Sequence, residues 1–230
     1  MDKDIPGCAR CPFEPQGRIC QNEEGKAPPF CPTVNKEAVI ARALEELKKP
    51  EILEFARQAS IQEGDGYADR QLGYDRTRPL KPRILEIVEF AGKMKYEKIG
   101  LAFCVGLRKE AKVVETILAA NGFTVVSGLC KMGRVPKESI GVRDSQKIRI
   151  GCFEPMCNPI AQAFLFNEEK TEFNVMMGLC VGHDSLFLKY AQAPCTVFAV
   201  KDRLLGHNPL AAIYNIDSYY RALKIPAPEE

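Results

Sequence analysis

Four cysteines stand where apolar runs end. Cys104 follows residues 99–103, Cys130 follows 123–129, Cys157 comes shortly after 148–153, and Cys180 follows 173–179. Two of them open the same tripeptide, Cys104-Val105-Gly106 and Cys180-Val181-Gly182. A cysteine between a strand and a helix N-terminus is biased toward thiolate, because unpaired N–H groups and the positive helix end stabilise the anion. Gly106, Gly133 and Gly182 leave room for backbone to approach a bulky group. Soft thiolates select iron–sulfur clusters, zinc or copper(I). The leading expectation is an iron–sulfur cluster held by Cys104, Cys130, Cys157 and Cys180, with sulfurs within roughly 5–8 Å of one another. His183, three positions after Cys180, is a candidate ligand or general acid/base; capping or packing would explain it equally well. Cys152 lies inside an expected strand and could replace one of the four. Cys195 begins a strand, at the opposite end of the sheet, and reads as core. His207 reads as structural or pocket-lining.

A second set opens the chain. Cys8, Cys11, Cys20 and Cys31 have the spacing Cys-x2-Cys-x8-Cys-x10-Cys. Proline, glycine and polar residues fill the gaps, so residues 1–32 lack the apolar side chains for a core of their own. A metal would supply the missing stability, and a Cys-x2-Cys loop presents two sulfurs to one ion. The spacing predicts a four-cysteine module, with zinc the alternative to iron. A redox dithiol at Cys8 and Cys11 is disfavoured, since the pair does not sit at a strand–helix junction.

These residues need a scaffold. Residues 33–95 read as helical. Thr33 or Asn35 is placed to cap the first helix, Pro50 starts the second and Pro82 the third. The Tyr- and Arg-bearing stretch 64–79 reads as a solvated connection. From residue 96 the pattern becomes strand, helix, strand. Val113, Val114, Ile117 and Leu118 are the expected inner face of a helix over 108–121, which Gly122 ends. Asn158 and Pro159 suit the start of another helix. A last helix is expected near 217–223. The alternation predicts an α/β domain, a Rossmann-like parallel sheet with flanking helices, preceded by the four-cysteine module and the helical segment. The expected divisions are 1–32, 33–95 and 96–230. In a parallel sheet all carboxyl ends share one edge, where ligands bind.

Composition bounds the function. The chain has 230 residues, 46% hydrophobic and 27% charged, which is ordinary for a globular protein. A formal charge of +2 gives no strong pull toward nucleic acid. No apolar run reaches the ~18–20 residues of a membrane span, and the first residues lack the apolar centre of a signal peptide. Ten cysteines without a signal peptide point to the cytoplasm and to metal or redox work, not to disulfides.

The combination of Cys8-x-x-Cys11-Pro12, Cys104-Val-Gly, Gly151-Cys-Phe-Glu-Pro-Met-Cys157-Asn-Pro, Gly178-Leu-Cys-Val-Gly-His-Asp-Ser185 and Pro194-Cys-Thr-Val-Phe-Ala-Val-Lys-Asp202 resembles an uncharacterised cysteine-rich family, domain of unknown function 1847. The resemblance covers nearly the whole chain. It implies metal binding and an anaerobic setting, and no particular substrate. The expected function is therefore a cytoplasmic iron–sulfur protein doing redox or Lewis-acid chemistry, an enzyme of unknown substrate, meeting a small molecule or an electron-transfer partner. The alternatives are a non-catalytic zinc protein and a metal-trafficking protein.

Overall fold

The computed structural model describes residues 5–226. Contacts divide the chain into two units between Asp65 and Gly66. The first unit begins with short turns around the early cysteines. Three helices follow: α1 (Pro32–Asn35), α2 (Glu37–Glu46) and α3 (Pro50–Asp65). The expected caps are not used. Lys36 occupies the N-cap of α2 with no side-chain bond, and the Asn35 amide donates to the Pro29 carbonyl instead.

The second unit opens with a two-residue antiparallel ladder, β1 (Tyr67–Ala68) with β2 (Arg78–Pro79). It continues through α4 (Arg83–Lys93), β3 (Lys98–Phe103), α5 (Arg108–Ala120), β4 (Thr124–Leu129), α6 (Pro159–Glu168), β5 (Phe173–Leu179), α7 (His183–Tyr190), β6 (Cys195–Val200) and α8 (Leu210–Tyr214). Strands β3 to β6 form one parallel sheet in the order β4-β3-β5-β6. All seven residues of β5 are buried, as a central strand covered on both faces requires. Helix α6 lies close on the sheet. A Cβ at Gly100 would stand 2.2 Å from Asn174 Oδ1 and 2.7 Å from Phe166 Cδ2, so only glycine lets Phe166 pack there. Phe166 in turn meets Phe187 of α7 edge to face, with centroids 5.8 Å apart. On α5 the buried residues are Ala111, Val114 and Leu118, and Val113 points to solvent. The tail helix is α8, and residues 217–223 form turns ending in a short 3-10 segment.

The expected strand over residues 148–153 does not form. Ile148 and Ile150 are largely exposed, and the whole connection from β4 to α6 is held by ion pairs. Its hub is Lys147, whose side chain is 4% exposed. The ammonium pairs with Glu138 and with Asp144 at 2.9 Å and donates to the Cys152 carbonyl at 3.0 Å. Asp144 also takes the Gly151 N–H at 2.9 Å. Buried Glu154 pairs with Lys137 at 2.7 Å and takes the Arg149 N–H. A buried ammonium needs such partners, so the chain wraps around Lys147 and cannot extend along the sheet.

This network predicts an acid-labile connection. Hydrogen bonds from Lys147 hold the Glu138 and Asp144 carboxyls below their ordinary values, and Lys137 does the same for Glu154. Groups depressed in the folded state stabilise it above the ordinary carboxylate range, and that contribution disappears as pH falls through their folded values. Amide exchange across residues 131–158 should therefore stay slow from neutral pH down to about pH 4 and accelerate below it. Protection that fades equally in the sheet strands would show that this network is not the weak point.

Candidate metal centre

The strand order reverses between β3 and β5: the chain steps outward from β3 to β4, then returns on the other side of β3. A crevice opens at such a switch point, beyond the carboxyl ends. Cys104 follows β3 and Cys180 follows β5, so both stand at its mouth. Cys130 follows β4 and is fixed by its N–H donating to Phe103 O at 2.9 Å. Cys157 has no strand behind it. It arrives because the Asn158 N–H donates to Cys130 O at 2.8 Å, while the Asn158 side chain caps α6 by accepting from the Ala161 N–H. A capped helix start thus does the work that a strand end was expected to do.

All four cysteines line one closely packed crevice, with no room for a water molecule between them, together with Pro159, Gln162, Leu179 and His183. Cys130 occupies the middle. Its sulfur lies 3.9 Å from that of Cys157, interacts with the Cys104 thiol, and accepts the Val105 N–H at 3.3 Å. Hydrogen bonding to Cys130 lowers Cys104 to about 5, against the opposing effect of burial and with help from the Gly106 N–H and Lys201. Cys157 is likewise lowered to about 5 by Cys130, with Lys131 and His183 assisting. Cys130 moves upward, since two thiolate neighbours hold its proton. Cys180 lies nearer the surface, where Arg203 donates to its sulfur at 3.0 Å.

Cys195 is the internal control. It starts β6 at the far end of the sheet, beside Asn174, and burial raises its thiol. That is how a packing cysteine behaves. Cys104 and Cys130 also pack against the core, near Phe166 and Phe187, yet Cys104 and Cys157 shift the opposite way. Cys152 is exposed on the connection and does not line this cavity. His207 adopts φ +67°, with Nδ1 3.0 Å from Val200 O and 3.3 Å from Asp202 N, so it secures the turn after β6.

The N-terminal four are not gathered. Cys8 and Cys20 are exposed, and Cys11 and Cys31 are half-buried. Cys8 and Cys11 share a tight turn, with the Cys11 N–H on Cys8 O at 3.1 Å. The Thr33 side chain lowers Cys31. Among the described residues no group of three or more His, Cys, Asp or Glu side chains is drawn around a common point as metal ligands are.

The inner residues fit a metal by their chemistry. Cys104, Cys130, Cys157, Cys180 and His183 line a single crevice, though their side chains are not drawn in as bound ligands are, and among the described residues His183 Nδ1 is buried with no hydrogen-bond partner. Two thiolates bound to one tetrahedral ion through ~2.3 Å bonds stand about 3.8 Å apart, close to the 3.9 Å of Cys130 and Cys157. A larger cluster would require the sulfurs to rotate outward.

Some contributors have no sequence signal of their own. Gln162, fully buried beneath the thiols, donates to Phe103 O at 3.3 Å and Gly128 O at 2.6 Å and ties the ends of β3 and β4 together. Lys201 and Arg203 are set by Asp202, whose carboxylate accepts the Leu204 and Leu205 N–H groups. Alternating charge around a turn is too common to single them out.

Fold and site together define an α/β protein with a thiol-lined pocket at the switch point of its parallel sheet. The chain belongs to the family described as Protein of unknown function (DUF1847), whose model matches residues 31–198. The matched span contains all four inner cysteines and His183; of the N-terminal four it reaches only Cys31. The chain is 43% identical over 185 residues, 80% of its length and 87% of the relative's, to the uncharacterized protein MJ0455 of Methanocaldococcus jannaschii. No solved structure matches it. Among the described residues no helix is long and apolar enough to cross a membrane.

Proposed function

We propose that this chain is a cytoplasmic metal-binding protein whose working centre, an iron–sulfur cluster in the leading reading, is held by Cys104, Cys130, Cys157 and Cys180. The observation that carries the reading is the meeting of four thiols from four separate segments in one cavity. Unpaired thiols spaced this closely call for a reducing compartment. Such a centre supplies redox or Lewis-acid chemistry when bound. The chain's own groups prepare for it. Cys104 and Cys157 offer thiolates, and Cys130 must give up its proton, so loading releases protons. Lys131, Lys201 and Arg203 offset the negative charge. Cys180 stands at the mouth, the place where a small molecule would arrive, and His183, which lines the same cleft, is the group proposed to move a proton there.

The 3.9 Å sulfur pair favours a second reading, a single tetrahedral ion such as zinc. A further ion at Cys8, Cys11, Cys20 and Cys31 is proposed on spacing alone. Protein purified without oxygen decides between these. Iron with sulfide and broad visible absorbance supports the cluster. Colourless protein with stoichiometric zinc supports the single ion. Protein free of any thiophilic metal removes the centre.

A further inference from the structure

We infer that the cleft opening from the four cysteines binds a small organic anion, gripped by Arg149 together with Lys201 and Arg203. The inference concerns the same pocket as the proposed metal centre but does not require a metal.

The cleft has a volume of about 610 Å³, the size of a small-molecule site. Five cationic side chains line it, Lys131, Lys137, Arg149, Lys201 and Arg203, against one carboxylate, Glu154. They come from two segments, the connection before α6 and the turn after β6. Most have a local partner. Lys137 pairs with Glu154, Lys131 donates to Pro155 O at 2.6 Å, Arg203 donates to Cys180 Sγ and Lys201 faces Cys104. Among the described residues the Arg149 guanidinium has no hydrogen bond or ion pair; only its backbone N–H is engaged, by Glu154. Five cations less one carboxylate leave four positive charges, and two thiolates still leave two. The whole chain carries a formal +2, so this excess is a local feature and not a property of the surface at large. Cations crowded into a partly enclosed cleft repel one another, and an anion there relieves the repulsion.

The remaining wall indicates an organic ligand. Val105, Ile148 and Pro155 line the same cleft, and Ile148 is 78% exposed although it sits beside the charges. A ligand with a carboxylate or phosphate at one end and carbon at the other would meet the cations and cover the isoleucine. Arginine suits either anion through its paired N–H groups.

The test is calorimetric titration of anaerobically purified protein with inorganic phosphate and, separately, with succinate, the metal content being measured on the same sample. Saturable binding of at least one probe is expected, weakened at least tenfold in Arg149→Ala and in Lys201→Ala. Phosphate alone would indicate a phosphate ester, and succinate alone a carboxylic acid. Arg149 is exposed, so its variant should fold, which circular dichroism can verify. No binding of either probe, or binding that both variants leave unchanged, overturns the inference. Metal-free protein that binds the anion keeps the anion site and loses the metal centre; metal-loaded protein that binds neither probe does the reverse.

Discussion

Cys130→Ser protein, purified without oxygen, is expected to retain none of its inner metal, whereas Cys152→Ala and Cys195→Ala keep the wild-type complement. Cys130 is the thiol that both Cys104 and Cys157 contact, and it is 2% exposed. A serine hydroxyl at that depth has nearly the same size but is a hard, protonated donor, unsuited to a thiophilic ion. The cost to the fold should be small, on the order of 1–2 kcal/mol for a buried hydroxyl that still receives the Val105 N–H. Loss of metal with a melting temperature close to that of metal-free wild type therefore separates ligation from packing. The two controls remove thiols that lie outside the cavity, one exposed and one at the far end of the sheet. Any ion held by Cys8, Cys11, Cys20 and Cys31 should stay bound in all three variants. Full metal retention in Cys130→Ser, or its loss in Cys152→Ala, would refute the assignment of the inner ligands.

The strand-to-helix alternation was legible because it rests on local periodicity. Strands β3, β4, β5 and β6 lie within a residue of their expected positions, and the parallel sheet follows from their connections. That Cys104, Cys130 and Cys180 share one edge follows directly. Cys157 reached the same place by a route the sequence did not show. Residues 148–153 alternate like a strand, but the deciding interaction is the burial of Lys147 between Glu138 and Asp144, which is a matter of tertiary pairing. Asn158 was recognisable as a helix cap, and that cap, tied to Cys130, is what delivers Cys157. The cations of the cleft were invisible for a related reason. Arg149, Lys201 and Arg203 are ordinary surface types, and their meaning comes from facing one space. The helical segment was read at its starts, Pro50 and Pro82, but the β1–β2 ladder between them is too short to leave a pattern.

Gly178→Ala should be the most damaging single methyl on the site's own strand. Gly178 has φ +67°, where a Cβ costs roughly 1–2 kcal/mol. That methyl would also stand 2.3 Å from Leu107 Cδ1 and 3.6 Å from Lys201 Nζ. Overpacking of this kind costs about 1–3 kcal/mol, so the combined loss is on the order of 3 kcal/mol. The conformation matters because pairing between β5 and β6 shifts register here, between Met177 and Leu179. Such an irregularity re-aims the side chains beyond it, and the residue two places on is Cys180. Gly182→Ala is the matched comparison: its φ is +84°, and among the described residues no atom beyond its chain neighbours lies within 4 Å of the new methyl. It should cost only the backbone contribution. Urea midpoints for the two variants therefore isolate the Leu107 contact, and Leu107→Ala should recover part of the difference in the Gly178→Ala background. Gly178→Ala should also weaken anion binding, since relieving the Leu107 clash displaces Leu179, whose carbonyl accepts the Lys201 N–H at 3.2 Å, while Gly182→Ala leaves that binding intact. Equal destabilisation by the two alanines would mean that Leu107 yields freely and that the bend in β5 does not set the pocket.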